Sequence, residues 1–207
     1  KRKRKLVYLL FFVILAGHAQ TQMSSAEALA LKAKVKALAF STETISSDFV
    51  QYKHLDFLDN DIETNGKLAF KAPDLVKWEY VNPFKYSVLF KDEKLFINDE
   101  GNKSDINIGS NKIFKQLNRL IISSVKGDMF DDAEFNIDYY KLENNSLVHF
   151  SPKDKKFAKY IKTFHITFNE NGDVIEVKMI EPSEDYTKIV FANKVLNQTI
   201  DETVFSH

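Results

Sequence analysis

The side chains that most often carry out catalysis or bind metals are few and scattered in this sequence. Beyond the N-terminal segment the histidines are His54, His149, His165 and His207, none at metal-ligand spacing from another, and there is no cysteine. A zinc site is therefore not expected, and no cofactor is predicted. The sequence contains no Gly-x-Ser-x-Gly elbow, phosphate-binding glycine loop or dinucleotide fingerprint. His149 and His165 fall within strand patterns and are interpreted as sheet-surface residues.

Two acidic pairs, Asp59/Asp61 and Asp131/Asp132, are the remaining candidates for acid–base chemistry. Each pair falls in a predicted turn, where aspartate is favoured because its side chain hydrogen-bonds the local backbone. Solvated turns explain these pairs better than catalysis does. The sequence thus predicts no catalytic residue and favours a protein that is not an enzyme. A hydrolase whose carboxylates are far apart in sequence stays open as an alternative.

The first nineteen residues have the pattern of an export signal. Residues 1–5 are all basic, and an eleven-residue apolar run follows from Leu6 to Ala16. This run is too short to span a bilayer but suits the hydrophobic part of a signal peptide. Gly17-His18-Ala19 provides small residues where a signal peptidase reads, so cleavage is predicted after Ala19. Residues 20–207 would then form a single domain in the periplasm.

Charge and cysteine content limit which partners and which covalent modifications are expected. Without residues 1–5, 24 basic residues face 29 acidic ones, and Arg119 is the one remaining arginine. Phosphate contacts need clustered cations, so no nucleic-acid partner is expected. Without cysteine the domain uses no disulfide and carries no lipid-modified cysteine. The exported protein is therefore predicted to be soluble, and we expect a monomer.

Two helices are predicted in the exported part. The first spans Ser24–Phe40, where alanine is frequent and where Ser24 and Glu27 have the spacing of a capping box. The second is predicted between Ser110 and Gly127, with serine as a plausible N-cap and glycine as a good residue after the helix end. The first helix precedes a long series of strand-like segments, and the second interrupts it.

The strand-like segments alternate apolar and polar residues and are separated by short runs of Asn, Asp, Gly or Pro, which favours antiparallel neighbours. A twisted antiparallel sheet of this size tends to curl, and helices can cover its concave face. The sequence therefore predicts an α+β, mainly antiparallel fold: a half-open barrel of about eleven strands with a helical lid. The predicted strands are Ile45–Lys53, Ile62–Lys71, Leu75–Tyr80, Tyr86–Lys91, Leu95–Asn98, Ser104–Ile108, Phe135–Glu143, Leu147–Ser151, Tyr160–Asn169, Val174–Glu181 and Tyr186–Val195.

Aromatic residues are numerous, with 18 Phe, 8 Tyr and 1 Trp. Such residues either fill a solid core or line a cavity for a hydrophobic ligand, and the two possibilities have similar compositions. The pattern alone leaves both open. Those on predicted strand faces are Phe49, Phe70, Trp78, Tyr80, Phe90, Phe96, Phe135, Phe164, Phe168 and Phe191.

The most informative segment is Gly66–Pro83, with the sequence GKLAFKAPDLVKWEYVNP. It predicts two strands joined by a corner at Ala72-Pro73-Asp74, because proline cannot donate to a strand ladder. Val76, Trp78 and Tyr80 share one face of the second strand. These residues resemble the LolA family of periplasmic lipoprotein carriers. In that family a strand ends in Lys/Arg-Pro-(Asn/Asp)-Leu, and the next strand carries a tryptophan flanked by aromatic residues.

The resemblance extends over nearly the whole exported chain. Ser47-Asp48-Phe49-Val50-Gln51 is similar to the family's first strand with its Phe-x-Gln, and Lys91–Phe96 stands in place of an Asp-Gly-Lys-x-Leu-Trp hairpin. Gly127–Phe130, Leu147–Lys156 and Glu181–Phe191 are similar to stretches in family members of the Bacteroidetes type. The order and spacing of these motifs are more specific than any one of them.

The resemblance implies an unclosed barrel and a hydrophobic cavity that holds the acyl chains of lipoproteins under a helical lid. It also implies pick-up from an ATP-driven release complex of the inner membrane and delivery to an outer-membrane acceptor or membrane. Helical periodicity adds three positions from the second helix to those carried by the motifs. The predicted lipid-binding residues are Leu68, Phe70, Val76, Trp78, Tyr80, Leu89, Phe96, Leu117, Leu120 and Ile121.

One position departs from the family pattern. Many carriers have a basic residue just before the motif's proline, and an arginine there bonds to the lid and controls its opening. Ala72 occupies this lid-gating position and cannot form that bond, while Lys71 should point to the opposite face of the strand. Either another residue holds the lid, or the protein carries or senses another envelope lipid or glycolipid. A binding module that pairs through a sheet edge is a further alternative.

Overall fold

The computed structural model describes residues 20–107, 123 and 127–207. Within them the chain forms one α-helix, two short 3-10 turns and twelve strands. Every pair of neighbouring strands is antiparallel. The elements are β1 (Thr21–Gln22), α1 (Ser25–Phe40), β2 (Thr44–His54), β3 (Ile62–Lys71), β4 (Leu75–Asn82), β5 (Tyr86–Lys91), β6 (Lys94–Asp99), β7 (Asn102–Asn107), β8 (Phe135–Leu142), β9 (Asn145–Pro152), a 3-10 turn (Phe157–Lys159), β10 (Thr163–Phe168), β11 (Val174–Ile180), β12 (Tyr186–Leu196) and a second 3-10 turn (Glu202–Phe205).

The predicted N-terminal helix is confirmed, with Ser24 as its N-cap. The Glu27 amide donates to Ser24 Oγ at 3.4 Å, and the Ser24 amide donates to Glu27 Oε2 at 2.9 Å. This capping box satisfies two backbone donors that have no partner inside the first turn. Lys141 also contacts Glu27, and this ammonium group together with the Ser24 bonds lowers the pKa of the Glu27 carboxyl to about 2.

All eleven predicted strands are present, and β3 and β5 have the predicted limits. The strand predicted from Tyr160 begins instead at Thr163, because the residues before it form the first 3-10 turn. In that turn Asp154 Oδ1 accepts hydrogen bonds from the Lys156 and Phe157 amides, which makes the backbone turn rather than extend. The two-residue β1 was not predicted. Most of the second predicted helix, residues 110–122 and 124–126, lies outside the described residues.

The twelve strands form one sheet in the order β1-β8-β9-β10-β11-β12-β2-β3-β4-β5-β6-β7. Two runs of sequential hairpins, β2–β7 and β8–β12, are joined where β12 pairs with β2, with Phe191 opposite Phe49. Strands β1 and β7 are the two edges, and no pairing between them occurs in the described part of the chain. The sheet is therefore an open half-barrel with a helix against its concave face, as the sequence predicted.

The apolar side chains of the concave face form two clusters. The first lies beneath α1 on strands β8–β11, and we call it the helix-covered cluster. The second lies on strands β3–β6, and we call it the cavity cluster. The buried members of the helix-covered cluster are Leu31, Val35, Met129, Phe135, Val148, Phe150, Phe157, Phe164, Ile166 and Phe168. Those of the cavity cluster are Phe70, Val76, Phe90 and Leu95.

Helix α1 is held against the turn between β10 and β11. Gly172 in this turn has φ +83°, and a Cβ atom there would lie 3.2 Å from the Val35 backbone nitrogen. Lys34 Nζ donates to the Glu170 carbonyl at 2.5 Å. The helix therefore covers one side of the curved sheet and leaves the other side open to a cavity. No helix in the described ranges is long and apolar enough to cross a membrane.

Candidate functional site

A cavity of about 400 Å³ lies between α1 and the concave face of the sheet. This volume falls within the range of ligand pockets, about 300–1,000 Å³. Apolar side chains make up most of its wall. Val35, Leu38 and Ala39 contribute from α1, strands β2–β6 and β9–β12 supply most of the rest, and the connecting segments add Thr42, Met129, Gly172 and Asp173.

Five predicted site residues come together on the cavity wall. They are brought there by the β3–β4 hairpin, in which Leu68 pairs with Trp78 and Phe70 pairs with Val76. Cross-strand partners project to the same face, so the inward pattern continues into β5 at Val88, the partner of Trp78. The five residues are Leu68, Phe70, Val76, Trp78 and Tyr80.

The predicted placement of Leu89 and Phe96 in the cavity is corrected by the register. Leu89 pairs with Lys77 on one side and with Phe96 on the other, and Lys77 faces away from the cavity. Because successive residues of a strand alternate between faces, all three side chains lie on the convex face. Val88 and Phe90 of the same strand line the cavity in their place.

The C-terminal segment covers this part of the convex face, which the sequence did not reveal. Lys77 Nζ donates to the Val204 carbonyl at 2.8 Å, and the rings of Phe96 and His207 have centroids 5.0 Å apart. Phe205 is buried. Leu89 is also buried, and its burial fits a structural role beneath this segment.

The remaining predicted positions concern the lid. Leu117, Leu120 and Ile121 lie outside the described residues, and their part in lipid binding stays a prediction. Ala72 forms the corner between β3 and β4, where its amide donates to the Glu43 carbonyl at 2.8 Å. The adjacent Lys71 contacts the Glu202 carboxylate of the C-terminal segment. It therefore does not take over the gating bond.

An aromatic group forms one end of the cavity wall. The Phe49 ring meets Trp78 and Tyr80 edge-on, with centroids 5.0 Å and 5.3 Å apart. Gly66 makes this possible, because a Cβ atom there would lie 2.3 Å from Phe49 Cζ. The Tyr80 hydroxyl donates to Gln51 Oε1 at 3.0 Å, and burial raises the pKa of Tyr80. The group gives the cavity a rigid, mainly apolar end.

Strand β12 contributes four cavity residues that the sequence prediction missed: Ile189, Phe191, Lys194 and Leu196. The strand pattern is apolar from Ile189 to Ala192, after which Asn193 and Lys194 interrupt it. Two consecutive polar residues within a strand pattern are the signal that could have indicated a bulge here. Lys194 is the cationic member of an otherwise mainly apolar wall.

Outside the cavity, two histidines are cross-strand neighbours on β9 and β10. His149 and His165 stack on the convex face with ring centroids 3.6 Å apart. Burial lowers the pKa of both imidazoles, that of His165 to about 4. Over the described ranges, no three His, Cys, Asp or Glu side chains come close enough to hold a metal ion.

An open antiparallel half-barrel with an apolar cavity under a helix defines a class of proteins that hold hydrophobic ligands. Residues 41–207 match the family model described as "Outer membrane lipoprotein carrier protein LolA", and the chain belongs to this family. Members of this family are carrier proteins rather than enzymes. The structure places α1, which precedes the matched residues, in the same core as the sheet.

Individual relatives agree with the family assignment. The chain is 25% identical over 203 residues to the outer-membrane lipoprotein carrier protein of Pseudomonas paraeruginosa, covering 98% of this chain and 94% of the relative. Its fold is similar to that of lipoprotein LppX from Mycobacterium tuberculosis, with a TM-score of 0.51, 7% identity, and 86% and 99% of the two chains covered. Its fold is also similar to that of a DUF1329 family protein from Desulfovibrio piger, with a TM-score of 0.50 and 13% identity. This comparison covers 88% of this chain and 97% of the other. These two likenesses concern the fold alone.

Proposed function

We propose that this protein is a periplasmic carrier that binds the acyl chains of lipoproteins in its cavity and shuttles them from the inner to the outer membrane. The observation that carries the proposal is the cavity itself. It offers about 400 Å³ with a mainly apolar wall between α1 and the concave face of the sheet. Family membership favours a lipidated protein as the cargo.

The energetics of acyl transfer fit such a cavity. Each buried methylene contributes about 0.8 kcal/mol, so a sixteen-carbon chain gains roughly 12 kcal/mol in either a bilayer or an apolar cavity. A carrier must nearly match the bilayer, since otherwise the chain does not leave the membrane. It must also hold the chain no more tightly than the acceptor does, since otherwise delivery fails.

The route follows from the predicted export signal. In this proposal residues 1–19 are removed, and residues 20–207 act as a single periplasmic domain. The cargo is received from an ATP-driven release complex of the inner membrane and passed to an acceptor at the outer membrane. The carrier works as a monomer and needs no cofactor.

The test introduces the same side chain on the two faces of β5. Val88→Gln places an amide in the cavity, whereas Ser87→Gln places it on the convex face, because Ser87 pairs with Glu79 and Asn98 there. Titration with a triacylated lipopeptide should show about tenfold weaker binding for Val88→Gln, since a buried amide without a partner costs about 1–3 kcal/mol. Ser87→Gln should bind like the unaltered protein.

Two results would contradict the proposal. One is the absence of lipopeptide uptake by the unaltered protein, together with native mass spectra of protein from the periplasm that show no bound lipid. The other is equal binding by Val88→Gln and Ser87→Gln when both variants are folded, because the cavity would then not be the binding site.

A second candidate keeps the cavity and changes the cargo to another envelope lipid or glycolipid. Ala72 favours this second candidate, because its side chain cannot make the gating bond implied by the family pattern. The neighbouring Lys71 is paired with Glu202 on the convex face. Depletion in the native host separates the two candidates. Lipoproteins should accumulate at the inner membrane only if this protein is their general carrier.

A further inference from the structure

Strand β12 reverses the direction of its side chains partway along its length. Phe191 lines the cavity, and the register against β2 then shifts between Ala192 and Val195. Asn193 has φ 50° and donates through Nδ2 to Asp48 Oδ2 at 2.8 Å on the convex face. Regular alternation would have placed residue 193 inside. The bulge instead turns Lys194 into the cavity.

Lys194 therefore brings an ammonium group to a mainly apolar wall. Its side chain is 14% exposed, and that of its partner Asp173 is 23% exposed. Lys194 Nζ donates to Asp173 Oδ1 at 2.8 Å and to the Val174 carbonyl. An ion pair taken out of water is often no more stabilising than an apolar pair of similar volume. Stability alone thus gives little reason for a lysine here.

The hydrogen-bonding capacity of Lys194 exceeds these two bonds. An ammonium group has three N–H donors, and Asp173 and Val174 accept two. Two hydroxyl groups on the same wall already donate within the protein, Thr42 to the Leu38 carbonyl at 2.7 Å and Tyr80 to Gln51 at 3.0 Å. Lys194 Nζ also lies over the Phe191 ring, 5.1 Å from its centroid. No third hydrogen-bond acceptor for Nζ is found among the described residues, so one N–H remains for a bound molecule.

The Lys194–Asp173 ion pair favours an uncharged hydrogen-bond acceptor as the partner of the third N–H. Asp173 neutralises the ammonium charge and would repel an incoming carboxylate or phosphate at this distance. A carbonyl oxygen carries no net charge and accepts a hydrogen bond well. Acyl chains in lipids are attached through ester or amide groups, each of which has such a carbonyl next to the chain.

We infer that Lys194 donates a hydrogen bond to the ester or amide carbonyl at the head of a bound acyl chain. The inference rests on the proposed function and assigns one residue to linkage recognition. A lipid whose chain is attached through an ether has no carbonyl and leaves the third N–H unpaired in a poorly hydrated wall. The cavity should therefore distinguish ester-linked from ether-linked chains of equal length.

The experiment compares dipalmitoylglycerol with dihexadecylglycerol, which have chains of the same length and differ in the linkage. The unaltered protein should bind the ester about tenfold more tightly. Lys194→Met should bind both lipids equally, because neither linkage then meets a donor at this position. Lys188→Met is the matched control, because Lys188 lies on the same strand but on the convex face, over the Tyr52 ring. It should retain the full ester preference.

The double variant Asp173→Asn/Lys194→Met protects the test against misfolding, because it leaves no carboxylate unpaired. It should also lose the ester preference. Equal affinity of the unaltered protein for the two lipids would overturn the inference while leaving the proposed function in place. An ester preference that persists in both Lys194 variants would do the same. Binding of neither lipid by unaltered protein that still takes up the triacylated lipopeptide would overturn the inference alone. Failure to bind the lipopeptide as well would overturn both.

Discussion

The helix-covered cluster and the cavity cluster lie on one continuous sheet and are built from the same kinds of residue. Beneath α1, Val148 and Phe168 are completely buried by helix and sheet. On strands β3–β6, residues such as Trp78 and Val88 instead face about 400 Å³ of cavity. The difference arises from the position of α1 and not from composition. An aromatic-rich strand face thus becomes core or binding surface according to what covers it.

The largest expected effect tests this contrast directly by truncating one phenylalanine on each side. Phe168→Ala should lower the free energy of unfolding by about 3–5 kcal/mol, because it leaves a cavity in a tightly packed region. Phe191→Ala should cost only about 1–2 kcal/mol, because that ring already borders open space. Urea unfolding of both variants measures the two values. Equal losses would show that the two clusters are packed alike.

Lipid binding should respond in the opposite order. Phe191→Ala removes part of the cavity wall and should weaken lipopeptide binding several-fold. Phe168→Ala, measured where it is still folded, should bind nearly as well as the unaltered protein, since Phe168 does not line the cavity. Weaker binding by Phe168→Ala would mean that packing beneath α1 affects the cavity wall, to which Phe150 and Phe164 of the same cluster belong.

A second prediction asks whether the cavity side has a rigid wall of its own. Gly66→Ala should cost about 1–3 kcal/mol, because the new methyl group would overlap the Phe49 ring and the Glu79 carbonyl. Gly101→Ala is the control. Its φ of +99° makes alanine unfavourable there as well, but no atom lies within 4 Å. It should cost about 1 kcal/mol, from backbone strain alone. A Gly66→Ala variant as stable as the control would indicate that Phe49 moves easily.

The smallest effect concerns the pH dependence of stability. It arises on the convex face of the strands that carry the helix-covered cluster. Burial, aided by His149 and Lys178, lowers the pKa of His165 from 6.5 to about 4. The folded state therefore resists protonation, so stability is full above about pH 6.5 and declines as the pH falls towards 4. We expect a loss of about 1–2 kcal/mol, less than the full shift implies because solvent screens this half-exposed pair.

His165→Gln should flatten this dependence relative to the unaltered protein when both are unfolded with urea at pH 7 and pH 4.5. Lipid affinity should not differ between the two proteins at either pH, because His165 lies on the convex face. A pH dependence that is the same in both proteins would assign the effect to other groups.

The sequence predicted most of the fold because turns and alternation are local signals. Strand β3 ends at Lys71, just before a proline that cannot join the ladder, and its limits were predicted correctly. The capping box at Ser24 marked the start of α1 in the same way. Strand β1 is only two residues long and pairs with Tyr140 and Lys141 from a distant part of the chain. No local pattern could indicate it.

The cavity-lining residues were harder to predict. Whether a side chain faces the cavity depends on the pairing register across several strands. Val76, Trp78 and Tyr80 line the cavity because they share one strand and one face, and their part in lipid binding stays a prediction. Leu89 was assigned to the cavity face, although it lies one residue away from the positions of its strand that point inward. Lys194 was missed because a bulge, which is a feature of strand pairing, changes which residues point inward. Errors of a single residue therefore transfer a side chain from one face to the other.

The pairing of β12 with β2 has a consequence for how the chain reaches this structure. Ser47 Oγ donates to the Ala192 carbonyl, across a separation of 145 positions in sequence. Each run of hairpins can form from neighbouring segments, but the seam between them closes only when both ends of the chain meet. Pairing between segments far apart in sequence slows folding, because the chain loses loop-closure entropy before the contact forms. During that interval two apolar concave faces are exposed, and a chaperone that shields them should raise the yield of folded protein.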